Sequence, residues 1–472
     1  MHIILLSGGS GKRLWPLSND IRSKQFIKIF KNEDAYESMV QRMYRQIRKV
    51  DADATVTIAT GKTQVSQLRN QLGEGIGISV EPCRRDTFPA IALATAYLHD
   101  IQKVPEDEPV VVCPVDPYVE DDYFEALKKL SDLAAGKLPG TSENSAEHAH
   151  DNPSGQEAGN SSGTISGNPS AAAPANLTVM GIEPTYPSEK YGYVIPETKD
   201  PVSRVSTFRE KPDVETAKRY IAQGALWNAG VFAYRIGYVL QKAHELIEFT
   251  DYDDLFARYE TVQKISFDYA VAEKESSISV LRFAGQWKDM GTWNTLTEAM
   301  TEPVIGKGTL NEKCENTNII NELDIPILAM GMKNCVIAAS PDGILVSDKE
   351  QSSYIKPYVD AMDEGVKFAE KSWGSFQVLD VEKSSLTILV TLLAGHQMNY
   401  HSHEHRDEVW NIISGEGTTI VDGMEQKVKA GDVITMQAGC RHTIHADTEI
   451  KLIEVQIGRN ISAHDKKKYT LE

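Results

Sequence analysis

Leu6-Ser7-Gly8-Gly9-Ser10-Gly11-Lys12-Arg13-Leu14-Trp15-Pro16-Leu17-Ser18 decides the fold. His2–Leu6 leads into it and reads as a short apolar strand. Three glycines after a strand let backbone amides approach phosphate oxygens closely. Lys12 and Arg13 add positive charge where a polyphosphate would lie. Two common phosphate loops are excluded. A Walker A loop requires Gly-Lys-Ser/Thr, and Lys12 is followed by Arg13; a dinucleotide fingerprint starting at Gly9 requires a small residue where Leu14 stands.

Working outward, apolar strands alternate with amphipathic helices. Strands are predicted at Ala54–Thr60, Gly77–Val80, Pro109–Cys113 and Leu177–Gly181, with helices at Pro89–Gln102 and Asp121–Ala135. This alternation implies a mainly parallel sheet covered by helices. The loop at Gly8, Glu81, Asp116 and Gly181 each follow a predicted strand. Parallel sheets bind ligands at the carboxyl ends of their strands, so these residues should share one edge. Residues 137–176 are rich in Ser, Gly, Asn, Ala, Pro and Glu and read as a disordered insertion. Residues 301–365 are short β-like pieces with a helix near Tyr354–Met362, and the chain is strand-rich from Ser372 to Gly458, as in a barrel or sandwich.

Composition limits the function classes. The chain has 472 residues and a net charge of −18, which argues against nonspecific nucleic-acid binding. No apolar run reaches the roughly 18 residues of a membrane span, and His2–Leu6 reads as a strand, not as a secretion signal. The five cysteines are scattered, as expected of free thiols in a reducing cytoplasm.

Further motifs join the glycine loop. They are Ser23-Lys24-Gln25-Phe26, Glu81-Pro82-Cys83-Arg84-Arg85-Asp86-Thr87, Cys113-Pro114-Val115-Asp116, Glu189-Lys190-Tyr191-Gly192-Tyr193, Phe208-Arg209-Glu210-Lys211-Pro212, Trp227-Asn228-Ala229-Gly230 and Trp287-Lys288-Asp289-Met290-Gly291. Together they resemble the mannose-1-phosphate guanylyltransferase family, with Trp15 marking the mannose branch. The resemblance implies a Rossmann-like α/β nucleotide-diphospho-sugar transferase domain (GT-A-like) over residues 1–300. It implies an enzyme that joins GTP to mannose 1-phosphate by in-line displacement. By the same resemblance Arg13 and Lys24 bind the triphosphate, and Asp116 and Asp289 hold Mg²⁺. Gly8, Gly9, Gly11, Glu81, Arg85 and Thr87 line the nucleotide, and Gly192, Glu210, Lys211 and Asn228 meet the sugar phosphate. Lys12 stands where threonine is usual, Asp86 replaces asparagine and Phe88 replaces alanine.

Gly395-x₅-His401-x-His403-x₄-Glu408-x₆-Gly415 and Gly431-x₁₀-His442 match the two cupin motifs in spacing. His401, His403, Glu408 and His442 form the expected set for Zn²⁺ or another divalent transition metal; His405 and His445 are substitutes. Residues 366–472 resemble a type II phosphomannose isomerase domain, an all-β cupin barrel behind a β-rich connecting segment at 301–365. That resemblance implies a second, mannose-6-phosphate isomerase activity, with a metal-holding or purely structural cupin as the alternative. Two other readings are a nucleotidylyltransferase for another sugar and an inactive nucleotide-sugar-binding regulator. No nucleic acid or membrane partner is expected; a homo-oligomer is left open.

Overall fold

The computed structural model describes residues 1–9, 12–19, 21–137, 175–362, 365–459, 461 and 465–470. Gly11 and almost all of the predicted insertion at 137–176 lie outside the described residues.

A nine-stranded sheet organises the first part of the chain. Its order is Gly77–Glu81, Thr55–Gly61, His2–Ser7, Pro109–Pro114, Leu226–Arg235, Leu177–Ile182, Ile278–Phe283, Val202–Arg209, Tyr193–Pro196. The first four strands pair in parallel. Leu226–Arg235 and Val202–Arg209 run against the others, so the parallel sheet expected from the alternation is interrupted twice. Helices cover both faces. Successive strand side chains point to opposite faces, so Ile4 joins one core with Phe88, Ile91 and Tyr234. Ile3 and Leu5 join the other core with Val40, Met43, Tyr123 and Leu127. Met39–Val50 starts with a Ser38/Gln41 capping box, which satisfies two end donors reciprocally. The predicted helix at Pro89–Gln102 is an α-helix over Thr87–Ala96 that widens into a π-helical turn over Tyr97–Ile101.

One strand positions the site. The second half of Leu226–Arg235 pairs with Pro109–Pro114, whereas Leu226 and Trp227 pair with Tyr193–Pro196. Its pairing with Leu177–Ile182 shifts register between Asn228 and Phe232. A cleft opens there, beyond the carboxyl end of Pro109–Pro114.

After residue 303, Val304–Ile305, Asn318–Asn321 and Cys335–Ser340 stack in parallel, and Gly343–Asp348 folds back antiparallel. This segment shares a core with the first loop. Leu14 and Leu17 pack with Met290, Trp293, Ile320, Val336 and Ile355. The last part of the chain is two facing sheets of six and five strands around Trp410, Ile412, Ile444 and Leu452. All five cysteines are free. No helix among the described residues is long and apolar enough to cross a membrane.

Candidate active site

The glycine loop is held from below by a buried polar network. Ser23 Oγ donates to the Gly9 carbonyl at 2.9 Å, Gln25 Nε2 donates to Ser7 Oγ at 3.0 Å, and Thr60 donates to Gln64 Oε1 at 2.8 Å. Such satisfied networks fix one loop geometry. Gly9 adopts φ +109°, a conformation that side chains resist. Lys24 then projects from a short helical turn and donates to Asp116 Oδ2 at 2.8 Å.

Asp116 and Asp289 come together because Pro117–Val119 pairs with Trp287–Asp289. Two pockets meet at this carboxylate pair. One is lined by Lys12, Arg13, Lys24, Gly291 and Lys356 along with both aspartates. The other is lined by both aspartates with Lys190, Gly192, Glu210, Asn228 and Asp268. Burial and the adjacent Asp116 charge both raise the pKa of Asp289, with Lys24 and Arg13 opposing. Two crowded carboxylates beside lysine and arginine are a fitting donor set for a hard divalent cation.

The second pocket is tightly built. A Cβ on Gly192 would come within 2.4 Å of Glu210 Oε2, so glycine lets the loop lie against that carboxylate. Asn228 Nδ2 donates to Asp268 Oδ1 at 2.8 Å. Glu210 is buried and its carboxylate binds Lys211 Nζ at 2.6 Å. Lys211 does not line the pocket wall itself; its ammonium is held by Glu210, which does.

The predicted nucleotide residues Glu81, Arg85 and Thr87 line neither pocket. Glu81 accepts from the Tyr259 hydroxyl at 2.9 Å, the Arg85 guanidinium donates to the Glu260 carbonyl, and Thr87 Oγ1 accepts the Phe267 N–H at 2.8 Å. They tie the helix start at Thr87 to segment 259–267, while Arg84 donates to Gly9 O at 3.3 Å at the loop's open side. Gly8 and Gly9 face open space there. Trp15 turns its ring to Gly343, and Trp293 Nε1 donates to its carbonyl at 3.2 Å. Asp268 and Lys356 are lining residues that no sequence motif singled out. Asp268 lies in an aromatic helix start, Phe267-Asp268-Tyr269, which reads as ordinary capping chemistry.

Far along the chain, His401, His403, Glu408 and His442 are all buried and their ligand atoms lie within 4.8 Å of one another. His401 faces His442 across an antiparallel pair. Each imidazole spends Nδ1 on a backbone carbonyl: His401 on Asn399 at 2.6 Å, His403 on Asp465 at 2.5 Å, His442 on Cys440 at 3.0 Å. That fixes the rings with Nε2 inward, the usual orientation of metal-bound histidine. Nε2 of His403 and of His442 each sit 3.1 Å from a Glu408 oxygen. Burial, reinforced by Lys466 and His442, holds His401 far below the ordinary imidazole pKa, leaving it neutral and ligand-ready. The alternates stand apart: His405 is exposed and His445 pairs with Asp447 at 3.3 Å.

A cleft of cations and paired carboxylates at the carboxyl edge of an α/β sheet defines a protein that handles phosphate esters. The chain belongs to the nucleotidyl transferase family, which it matches over residues 2–148 and 168–303, and it matches the cupin domain over residues 388–456. The mannose-1-phosphate guanylyltransferase of Escherichia coli strain K12 is 26% identical across 98% of this chain and 97% of its own length. The xanthan biosynthesis protein XanB of Xanthomonas campestris pv. campestris strain B100 is 26% identical across 98% of this chain and 96% of its own. Among solved structures, a mannose-1-phosphate geranyltransferase from Thermus thermophilus superposes with a TM-score of 0.57 at 23% identity, covering 77% of this chain and 99% of that one.

Proposed function

We propose that the chain transfers the guanylyl group of GTP to mannose 1-phosphate, giving GDP-mannose and diphosphate. The observation that carries this reading is the meeting of two pockets, one cationic and one rich in hydroxyl-binding groups, at Asp116 and Asp289. Full-length relatives named mannose-1-phosphate guanylyltransferase support the choice of sugar and base.

A phosphate oxygen of mannose 1-phosphate attacks the α-phosphorus of GTP as the bond to pyrophosphate breaks. The attacking phosphate is already anionic, so no strong base is needed; the residues position two anions and offset their charge. Arg13 and Lys24 bind the triphosphate and neutralise the departing pyrophosphate. Glu210, Asn228 and the Gly192 backbone orient the mannose, and Glu210 presents Lys211 to its phosphate. Gly8 and Gly9 would form the nucleotide side at the loop's open face, with Glu81, Arg85 and Thr87 bracing that side through segment 259–267. Asp116 and Asp289 would hold Mg²⁺, which when bound offsets phosphate charge.

A matrix of nucleoside triphosphates against sugar 1-phosphates, read by pyrophosphate release, tests the reading. GTP with mannose 1-phosphate should give the fastest turnover, and a clear preference for another pair would overturn it. Lys24→Ala should lower turnover about 100-fold or more, the scale of losing one preorganised transition-state charge; near-wild-type turnover would sink the assignment.

For the second part of the chain we propose a divalent transition metal held by His401, His403, Glu408 and His442. Metal content of the purified protein, compared with His401→Ala/His442→Ala, checks that. Such a centre would suit interconversion of fructose 6-phosphate and mannose 6-phosphate, and a coupled assay with added Zn²⁺, Mn²⁺ or Co²⁺ tests for it.

A further inference from the structure

One cation of the phosphate pocket comes from outside the family stretch. That stretch ends at residue 303, yet Lys356 lines the pocket beside Lys12, Arg13 and Lys24. We propose that Lys356 is a further triphosphate-binding residue, and that the helix Lys356–Ala361 forms one wall of the nucleotide site. The proposal rests on the reading that this pocket receives a triphosphate.

The helix is placed by its neighbours. Ile355 is 8% exposed in the core beneath the loop, with Leu14, Leu17, Met290 and Trp293, and Val359 packs against the same core. Residues four apart share a helix face, so this apolar pair fixes which side of the helix meets the loop. The adjacent pair, Lys356 and Asp360, follows the same spacing. Asp360 binds Lys356, and it also lies 3.3 Å from Lys12. One carboxylate therefore gathers two lysines at the rim of the pocket. An exposed pair at this spacing adds only a few tenths of a kcal/mol to a helix. Stability is thus a weak reason for the arrangement, and its main consequence is to hold Lys356 beside the cavity.

Charge gives the arrangement a purpose. The pocket carries Asp116 and Asp289, and a triphosphate would bring about four further negative charges. Arg13, Lys24 and the Asp360-paired Lys12 do not match that load. Lysine is a compact point charge well suited to phosphate oxygens. With a polyphosphate bound, the Lys356 ammonium has a stronger anion to face than Asp360, and it can exchange one for the other without moving the helix.

The test is a calorimetric titration of the full chain with inorganic pyrophosphate, beside GTP turnover with mannose 1-phosphate. Lys356→Gln should weaken pyrophosphate binding about tenfold, the usual scale for one charge-assisted phosphate contact, and raise KM for GTP in step. Lys356→Arg should restore most of both. The side chain is half exposed, so an unchanged thermal midpoint should accompany each variant. Pyrophosphate affinity within twofold of wild type in Lys356→Gln overturns the proposal, as does a wild-type chain that binds no pyrophosphate. If wild type binds pyrophosphate, loses it in Lys356→Gln, and yet turns over no sugar phosphate, the inference stands and the guanylyl-transfer reading falls. If turnover is normal and Lys356→Gln binds as wild type does, the reverse holds.

Discussion

Asp268 illustrates what a single residue's surroundings can do. Burial, together with the Glu210 carboxylate, pushes its pKa up to about 7 from the ordinary 3.8. A raised aspartate binds its proton more tightly in the folded than in the unfolded chain. Stability from this residue is therefore present below pH 3.8 and declines as pH rises toward 7. Asp268→Asn removes the titration while keeping the side-chain shape. Urea unfolding should show the variant gaining on wild type as pH rises from 5 to 7.5; a constant gap would refute the shifted aspartate. Residues such as Arg13, Lys24, Asp116 and Asp289 were legible in the sequence because each lies within a recognisable motif, and the Gly8 loop and Asp116 also follow predicted strands. Asp268 and Lys356 were not, because nothing local marks them. Their place in the pockets is set by what packs against them from other parts of the chain.

At the scale of elements, strands and helices were readable from periodicity, but the reversal of Leu226–Arg235 and Val202–Arg209 was not. Strand direction depends on which neighbour each strand finds, and apolar alternation is the same either way. Trp15 makes a similar point. Its sequence position marks a family, whereas its ring serves as a contact between the glycine loop and the Cys335–Ser340/Gly343–Asp348 hairpin. Gly343 sits at φ +150°, and a Cβ there would come within 2.4 Å of the Trp15 ring. Gly343→Ala should therefore destabilise the fold by about 1–3 kcal/mol, an overpacking cost, measured by denaturant unfolding. Arg22 makes a second such tie, with a two-pronged pair to Glu322 at 2.7 and 2.8 Å. Arg22 is buried, and Glu322 is 28% exposed on its side chain. Glu322→Ala would strand that guanidinium. The partial exposure of Glu322 reduces the loss below the 3–5 kcal/mol of a fully buried pair, to about 2 kcal/mol. Because Arg22 lies two residues before Lys24, KM for GTP should rise as well.

Across the whole molecule, composition suggested three parts, and the contacts tie them unequally. We propose that the smallest active transferase includes the connecting segment at 301–365. Ending the chain at residue 303 would remove Ile320, Val336, Ala338 and Ile355 from the core that holds Leu14 and Leu17, along with Glu322 and Lys356. Large aliphatics such as Ile320 and Ile355 cost on the order of 2–5 kcal/mol each when truncated, so the combined loss is comparable with the stability of a typical domain. Ending at residue 365 removes much less. The later part of the chain touches the loop through Asn19 Nδ2 to Phe368 O at 3.3 Å and Arg22 over the Phe368 ring, and touches a nearby helix through Asn70 Nδ2 to Lys371 O at 2.9 Å and Gln67 Nε2 to Glu370 Oε2 at 3.4 Å. These are polar or edge contacts, worth about 1 kcal/mol each. A chain ending at 365 should fold and release pyrophosphate from GTP and mannose 1-phosphate within about tenfold of wild type. A chain ending at 303 should be insoluble or inactive. Equal activity in both would mean that the connecting segment is a spacer, and that the wall of the phosphate pocket formed by Lys356 is dispensable.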